Sequence, residues 1–283
     1  MNIKNKITSL LISCLLSPLC ILYTHENPHK TRQVGPLFCY GQNILDKGKI
    51  RLRERPFYIK NKAHSFTYLS NQAFYALSDD WVIWMDLPIK LHNKNFADTD
   101  RLIATRVETE YAYHHKVTSG KRVLATALGN CIIPTTSTDD DSNLDPYNGT
   151  GSISFYLATT ASVLTHDWYA YGSAGVQLNI PYHRNRFGEL FRFEWIIGHS
   201  LPTSSWNSYL MLEFSSARLQ KNRICGIKDT NSGGNIIYVG PAFIARSDHF
   251  YVWAGMQGAM LSRLNGNQQQ ATLRAALMLA VLF

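Results

Sequence analysis

The chain has 283 residues, enough for one or two domains, and it is 45% apolar, 12% aromatic and only 17% charged. That profile excludes a disordered chain, which would be rich in charge and poor in aromatic rings. The formal charge of +8 comes from scattered Lys and Arg, with no basic run interleaved with aromatics, so no nucleic-acid partner is expected.

Lys4 and Lys6 open the chain, and an apolar run follows from Ile7 to about Tyr23, interrupted by Pro18. This is the layout of a secretory signal peptide over residues 1–24. An uncleaved anchoring helix is the alternative, but the run is short for a span of ~20 residues and is broken by the proline. Leu11-Ile12-Ser13-Cys14 resembles a lipoprotein box, yet it sits inside the apolar run. Residues 25–49 read as a polar lead-in. Outside the leader stand Cys39, Cys131 and Cys225, with no CxxC and no His/Cys spacing suited to zinc, so neither a metal nor a cofactor is expected.

From residue 50 onward the apolar residues alternate. Trp81, Ile83, Met85, Leu87, Ile89 and Leu91 share one face, opposite Val82, Trp84 and Asp86. Phe191, Phe193, Trp195 and Ile197 alternate with Arg192 and Glu194. Leu273, Ala275, Leu277, Leu279, Val281 and Phe283 form the cleanest face of all. A period of two marks strands whose faces meet different solvents. The runs are longer than the ~5–6 residues of soluble strands, and they suit a tilted crossing of a bilayer by about 9–11 residues plus interfacial ends. Strands are predicted at 50–60, 66–77, 81–93, 101–115, 121–133, 151–164, 168–180, 188–200, 205–219, 235–246, 249–262 and 271–283. Twelve is an even number, as a single-chain bacterial barrel requires.

The links alternate between short (78–80, 116–120, 165–167, 201–204, 247–248) and long (94–100, 134–150, 181–187, 220–234, 263–270). Short periplasmic turns and long outer loops have this asymmetry. Trp81, Trp168, Trp206 and Phe250 each follow a short link, at the height where interfacial rings sit. The predicted fold is therefore all-β: a transmembrane antiparallel up-and-down barrel of about twelve strands over 50–283.

Two further features resemble known proteins. The last strand, with Leu277, Leu279 and Val281 before a terminal Phe283, looks like the membrane-assembly signal read by the barrel-assembly machinery. Residues 121–283 resemble the outer-membrane transporter-like proteins of the MetA-pathway phenol-degradation family. Three motifs carry that resemblance: Gly149-Thr150-Gly151-Ser152 leading from a polar loop into a strand, a short Leu201-Pro202-Thr203 turn, and Tyr238-Val239-Gly240-Pro241 before an apolar strand. The resemblance implies transport of small, hydrophobic or aromatic solutes.

If the faces alternate as predicted, the lumen carries Asp86, Arg106, Glu108, Glu110, His114, Arg192, Glu194, Glu213, Gln257 and Arg274. Charge is tolerated there, whereas Arg or Lys at the lipid midplane costs ~2–4 kcal/mol. Arg106, Glu108, Glu110, Arg192 and Glu194 form either a constriction that filters solutes or a salt-bridged plug. Tyr169, Tyr171, Tyr209, Tyr251 and Trp253 form either a slide for aromatic solutes or ordinary packing of the inner wall.

No enzyme signature emerges. His199-Ser200 and His64-Ser65 are neighbours on a strand and so point to opposite faces, which prevents a nucleophile–base contact. His166-Asp167 belongs to a turn. Asp139, Asp140, Asp141, Asn143 and Asp145 could hold Ca²⁺ but read as a solvated loop tip. Whether Cys131 and Cys225 pair is open. The expected protein is an outer-membrane pore or transporter for passive passage of small solutes, with outer-membrane lipid as its surroundings. An outer-membrane barrel enzyme and a structural or adhesive barrel are the alternatives.

Overall fold

A computed structural model describes residues 35–61, 65–93, 104–134, 152–181, 185–201, 206–268 and 271–283. The leader, His64, the acidic segment 139–145 and the 202–203 turn lie outside these residues. The strands are β1 (Ile50–Asn61), β2 (Ser65–Ser78), β3 (Trp81–Asn93), β4 (Thr105–Thr118), β5 (Lys121–Ile133), β6 (Ser154–Thr165), β7 (Trp168–Asn179), β8 (Leu190–Leu201), β9 (Asn207–Leu219), β10 (Arg223–Ile224), β11 (Ile227–Lys228), β12 (Gly234–Arg246), β13 (Phe250–Leu264) and β14 (Ala271–Leu282). All but β10 and β11 form one closed barrel, with β1 hydrogen-bonded to β14 along the seam.

Closure gives every strand two neighbours, so no barrel edge is left to solvent or lipid. Sequence neighbours pair throughout, except that β9 meets β12 across the small β10–β11 hairpin. That hairpin, in a segment expected to be a plain loop, is held by Arg186 and Arg223, whose amides and carbonyls bond each other at 2.8 Å. Among the described residues the β3–β4 ladder joins Trp81–Asp86 to Arg106–Tyr111, and β3 continues to Asn93.

The outer wall is apolar and uncovered. Trp195 is 55% exposed, Leu277 42% and Leu279 43%. Their alternate neighbours, Glu194, Met278 and Ala280, are buried inside. In water such a wall would be costly at about 25 cal/mol per Å², so the surface fits hydrocarbon. Trp81, Trp168, Trp206 and Phe250 all lie exposed at the short-turn end, where the predicted aromatic girdle belongs.

One predicted lumen residue is corrected by a bulge. Ala112 pairs with Thr126 and His114 with Ala125, leaving Tyr113 as the extra residue of β4. One inserted residue reverses which face each later side chain takes. His114 thus sits in register with the outward Ala125 rather than with the lumen row.

Candidate functional site: the occupied lumen

The barrel is filled from within by its own chain. Residues 35–49, read from the sequence as polar lead-in, form an arch inside the lumen before β1 begins. Both feet lie near the short-turn end: Trp253 Nε1 donates to the Gly35 carbonyl at 3.1 Å, and the Lys47 amide donates to Asp79 Oδ1 in the β2–β3 turn at 2.9 Å. Leu37 is fully buried, and Phe38, Cys39, Gln42 and Asn43 are nearly so.

An extended segment threaded through a barrel has no strand beside it, so its buried amides need other acceptors. Three glutamates on the inner wall supply them. Glu213 on β9 accepts the Leu37 amide at 2.9 Å and the Phe38 amide at 3.0 Å. Glu194 on β8 accepts the Tyr40 amide at 2.9 Å. Glu110 on β4 accepts the Gln42 amide at 2.7 Å and the Asn43 amide at 3.0 Å. The arrangement is reciprocal. A buried carboxylate is costly without hydrogen bonds, and a buried amide left unpaired costs about 1–3 kcal/mol.

Side chains complete the seat. Gln42 donates to Thr160 Oγ1 at 2.7 Å and accepts from Ser162 Oγ at 2.7 Å, while Thr126 Oγ1 donates to Glu110 at 2.5 Å. Arg55 donates to the Leu37 carbonyl at 3.1 Å and Arg51 to Asn43 Oδ1 at 2.8 Å. The Tyr171 hydroxyl donates to the Tyr40 carbonyl. Tyr40 itself packs against Tyr156 with the rings tilted by 42° and 5.0 Å between centroids, and Arg192 lies over its ring at 5.2 Å. The bend after Tyr40 needs Gly41, whose φ is +90° and whose position would put a Cβ 2.6 Å from Thr160 Cγ2.

Each predicted site residue has a definite place. Arg106, Glu108, Glu110 and Glu194 are buried on the inner wall, and Arg192 is half-buried there. The structure divides this set by task. Glu110 and Glu194 grip the arch, whereas Arg106 and Glu108 with Asp86 line a cavity beside it. Arg106 sits opposite Asp86 in the β3–β4 ladder and donates to the Tyr40 hydroxyl at 3.3 Å. The cavity has a volume of about 40 Å³, space for water rather than for a solute. Tyr169, Tyr171, Tyr209, Tyr251 and Trp253 are all buried, in one apolar cluster with Leu37, Phe38 and Cys39. Leu277 and Leu279 face outward, and Phe283 extends the seam, its amide donating to the Ile50 carbonyl at 2.9 Å.

The arch and the grip of Glu213 were not singled out by sequence. The available signal was the run Leu37-Phe38-Cys39-Tyr40 between Pro36 and Gly41, too apolar for a solvated tether. Cys39, Cys131 and Cys225 are free, so Cys131 and Cys225 do not pair in this structure. His199 faces outward with its ring 4.8 Å from that of Trp168, away from the inner wall. His166 and Asp167 are 3.9 Å apart and solvent-exposed.

Comparison with known proteins agrees with this architecture. Residues 126–257 match the family described as Putative MetA-pathway of phenol degradation. No curated protein matches the chain by sequence. The fold is similar to the COG4313 outer membrane channel from Pseudomonas putida F1, with a TM-score of 0.68 at 12% identity over 88% of this chain and 100% of that one. It is also similar to the NanC porin, with a TM-score of 0.51 at 11% identity over 82% of this chain and 98% of the porin. The likeness to this family is carried by residues 126–257, and the chain is a closed β-barrel with the fold of these channels.

Proposed function

We propose that the protein is a passive outer-membrane pore for small solutes, closed at rest by its own N-terminal arch. The observation that carries this is the way the arch is held. Its backbone hydrogen-bonds to side chains of the wall instead of adding a strand to the sheet, so it can leave or shift without breaking the barrel. Likeness to channels and porins of the same architecture supports the pore reading. With the arch seated, the cavity beside it is about 40 Å³, too small for a solute, and in this reading transport follows movement of the arch.

Once it moves, two linings are uncovered together. Tyr169, Tyr171, Tyr209, Tyr251 and Trp253 present ring faces, and Arg106, Arg192 and Glu108 present charge. A wall of this kind suits hydrophobic or aromatic solutes with a polar end, since rings stack on rings and guanidinium groups take oxyanions. The terminal Leu277, Leu279, Val281 and Phe283 are the segment we assign to recognition by the barrel-assembly machinery.

The test is conductance in planar bilayers together with solute swelling of liposomes, comparing the full chain with a variant lacking residues 35–45. The deletion should raise conductance and admit aromatic acids that the full chain excludes. Equal conductance and equal swelling would remove the arch as the closure.

A further inference from the structure

We propose that the outer rim of β9, β12 and β13 binds the phosphorylated headgroup of a multiply acylated glycolipid in the outer leaflet. Asn235 on β12 is the register partner of Arg218 on β9 and of Arg263 on β13. The three form one row across three adjacent strands, and all three are exposed. With strands ~4.8 Å apart, the two Arg Cα atoms stand about 10 Å from each other, with a carboxamide between them. Two guanidinium forks that flank an amide donor can grip a sugar phosphate bidentately from both sides.

The row lies at the long-loop end, where Arg218 and Arg263 are each the penultimate residue of their strand and Asn235 is the second residue of β12. An outward Arg is tolerated at that height because its head reaches the interface while its stem lies along the wall. Directly beneath comes the outward row of Ser216, Ile237 and Leu261, continued on β8 by Phe193, which is 54% exposed. A charged shelf above an apolar wall matches a lipid with phosphate at its head and acyl chains below.

Three observations favour an anionic occupant. Among the described residues Arg218 and Arg263 make no side-chain hydrogen bond or ion pair, whereas nearby Arg186 is paired with Glu189 at 2.6 Å. The loop above adds exposed Lys221, Arg223 and Lys228, and the carboxylate that follows, Asp229, is already engaged by the Asn231 amide at 2.8 Å. Basic residues beside an anionic leaflet each strengthen attachment. The charge is also local: the outward ends of β6 and β7 carry exposed Phe155 and Leu178.

This inference rests on the long loops facing outward, as the pore reading has them, but binding is measured on the purified barrel and does not depend on conduction. Native mass spectrometry of the detergent-solubilised full chain would compare retention of bisphosphorylated lipid A and of phosphatidylethanolamine by wild type and by R218Q/R263Q. Wild type should retain one lipid A, and the double variant should lose about tenfold or more of that affinity while phosphatidylethanolamine is held weakly by both. Heat-modifiable migration of both proteins confirms that each is folded. Equal lipid A retention by the two folded proteins, or equal retention of the two lipids by wild type, would overturn the proposal.

Discussion

Replacing Glu213 with alanine removes the acceptor of the Leu37 and Phe38 amides, bonded at 2.9 and 3.0 Å. Hydrogen bonds to a charged group contribute about 1.5–3 kcal/mol each, so the pair is worth at most about 3–6 kcal/mol to the seated arch. The vacated space admits water, which restores part of that. A net loss of about 1.5–3 kcal/mol corresponds to a roughly 10- to 150-fold larger population with the arch displaced. Single-channel recording reads this directly as the fraction of time spent at the high-conductance level. Glu213→Gln retains one acceptor oxygen and should fall between wild type and Glu213→Ala. The barrel's own ladders do not involve the carboxylate, so heat-modifiable migration should persist in both variants. If Glu213→Ala opens no more often than wild type while deletion of residues 35–45 does open the pore, the amide–carboxylate bonds are not the latch.

Gly41→Ala should act in the same direction, because φ is +90° there and the new methyl would stand 2.6 Å from Thr160 Cγ2; baseline conductance should rise in a barrel that still folds. In the arch-deleted background, the wall carries Arg51, Arg53, Arg55, Arg106, Arg192, Arg246 and Arg274 against Asp86, Glu108, Glu110, Glu194 and Glu213, and the cavity is lined by Arg106 and Arg192 beside Asp86 and Glu108. Arg106→Ala and Arg192→Ala should therefore shift the reversal potential in a salt gradient toward cation preference; unchanged selectivity in both would remove them from the constriction. Leu277→Arg places a charge on the outward face of β14, where Leu277 is 42% exposed, and should cost about 2–4 kcal/mol of folding free energy in lipid bilayers. Denaturant titration in vesicles reads that cost, with the inward Met278→Leu as the mild comparison.

Most of the wall was legible because alternation is a local property. The faces of β14 and β8 follow directly from Leu273 to Phe283 and from Phe191 to Ile197, and their bounds in the fold differ by at most two residues from the predicted ones. β1 was harder to read, since Arg51, Arg53 and Arg55 break the expected composition of a strand. The fold accommodates them on the inner face, with the Arg51 and Arg53 guanidiniums 4.3 and 4.5 Å from the Phe74 ring centroid. Extrapolation failed at His114 because a single bulged residue is invisible to a count of period two. The arch was illegible for a different reason. Residues 35–49 have no period at all, and where an aperiodic segment goes is decided by acceptors far along the chain, such as Glu110 and Glu213, which are separated from it by 68 and 176 residues at their contacts with Gln42 and Leu37. Inward glutamates looked like a filter or a plug of side chains because their partners, bare backbone amides, carry no residue signature.

The central claim, that the chain's own N-terminal segment sits in the lumen at rest, is tested most directly by Cys39, which is only 8% exposed beside Glu213. In a Cys131→Ser and Cys225→Ser background, Cys39 is the single thiol outside the leader, and maleimide labelling of the folded barrel reports its access to solvent. Labelling should be negligible until the barrel is heat-unfolded, while the exposed Cys225, tested alone in the same way, should react at once. Reaction of Cys39 in the folded barrel as fast as Cys225 would contradict the account.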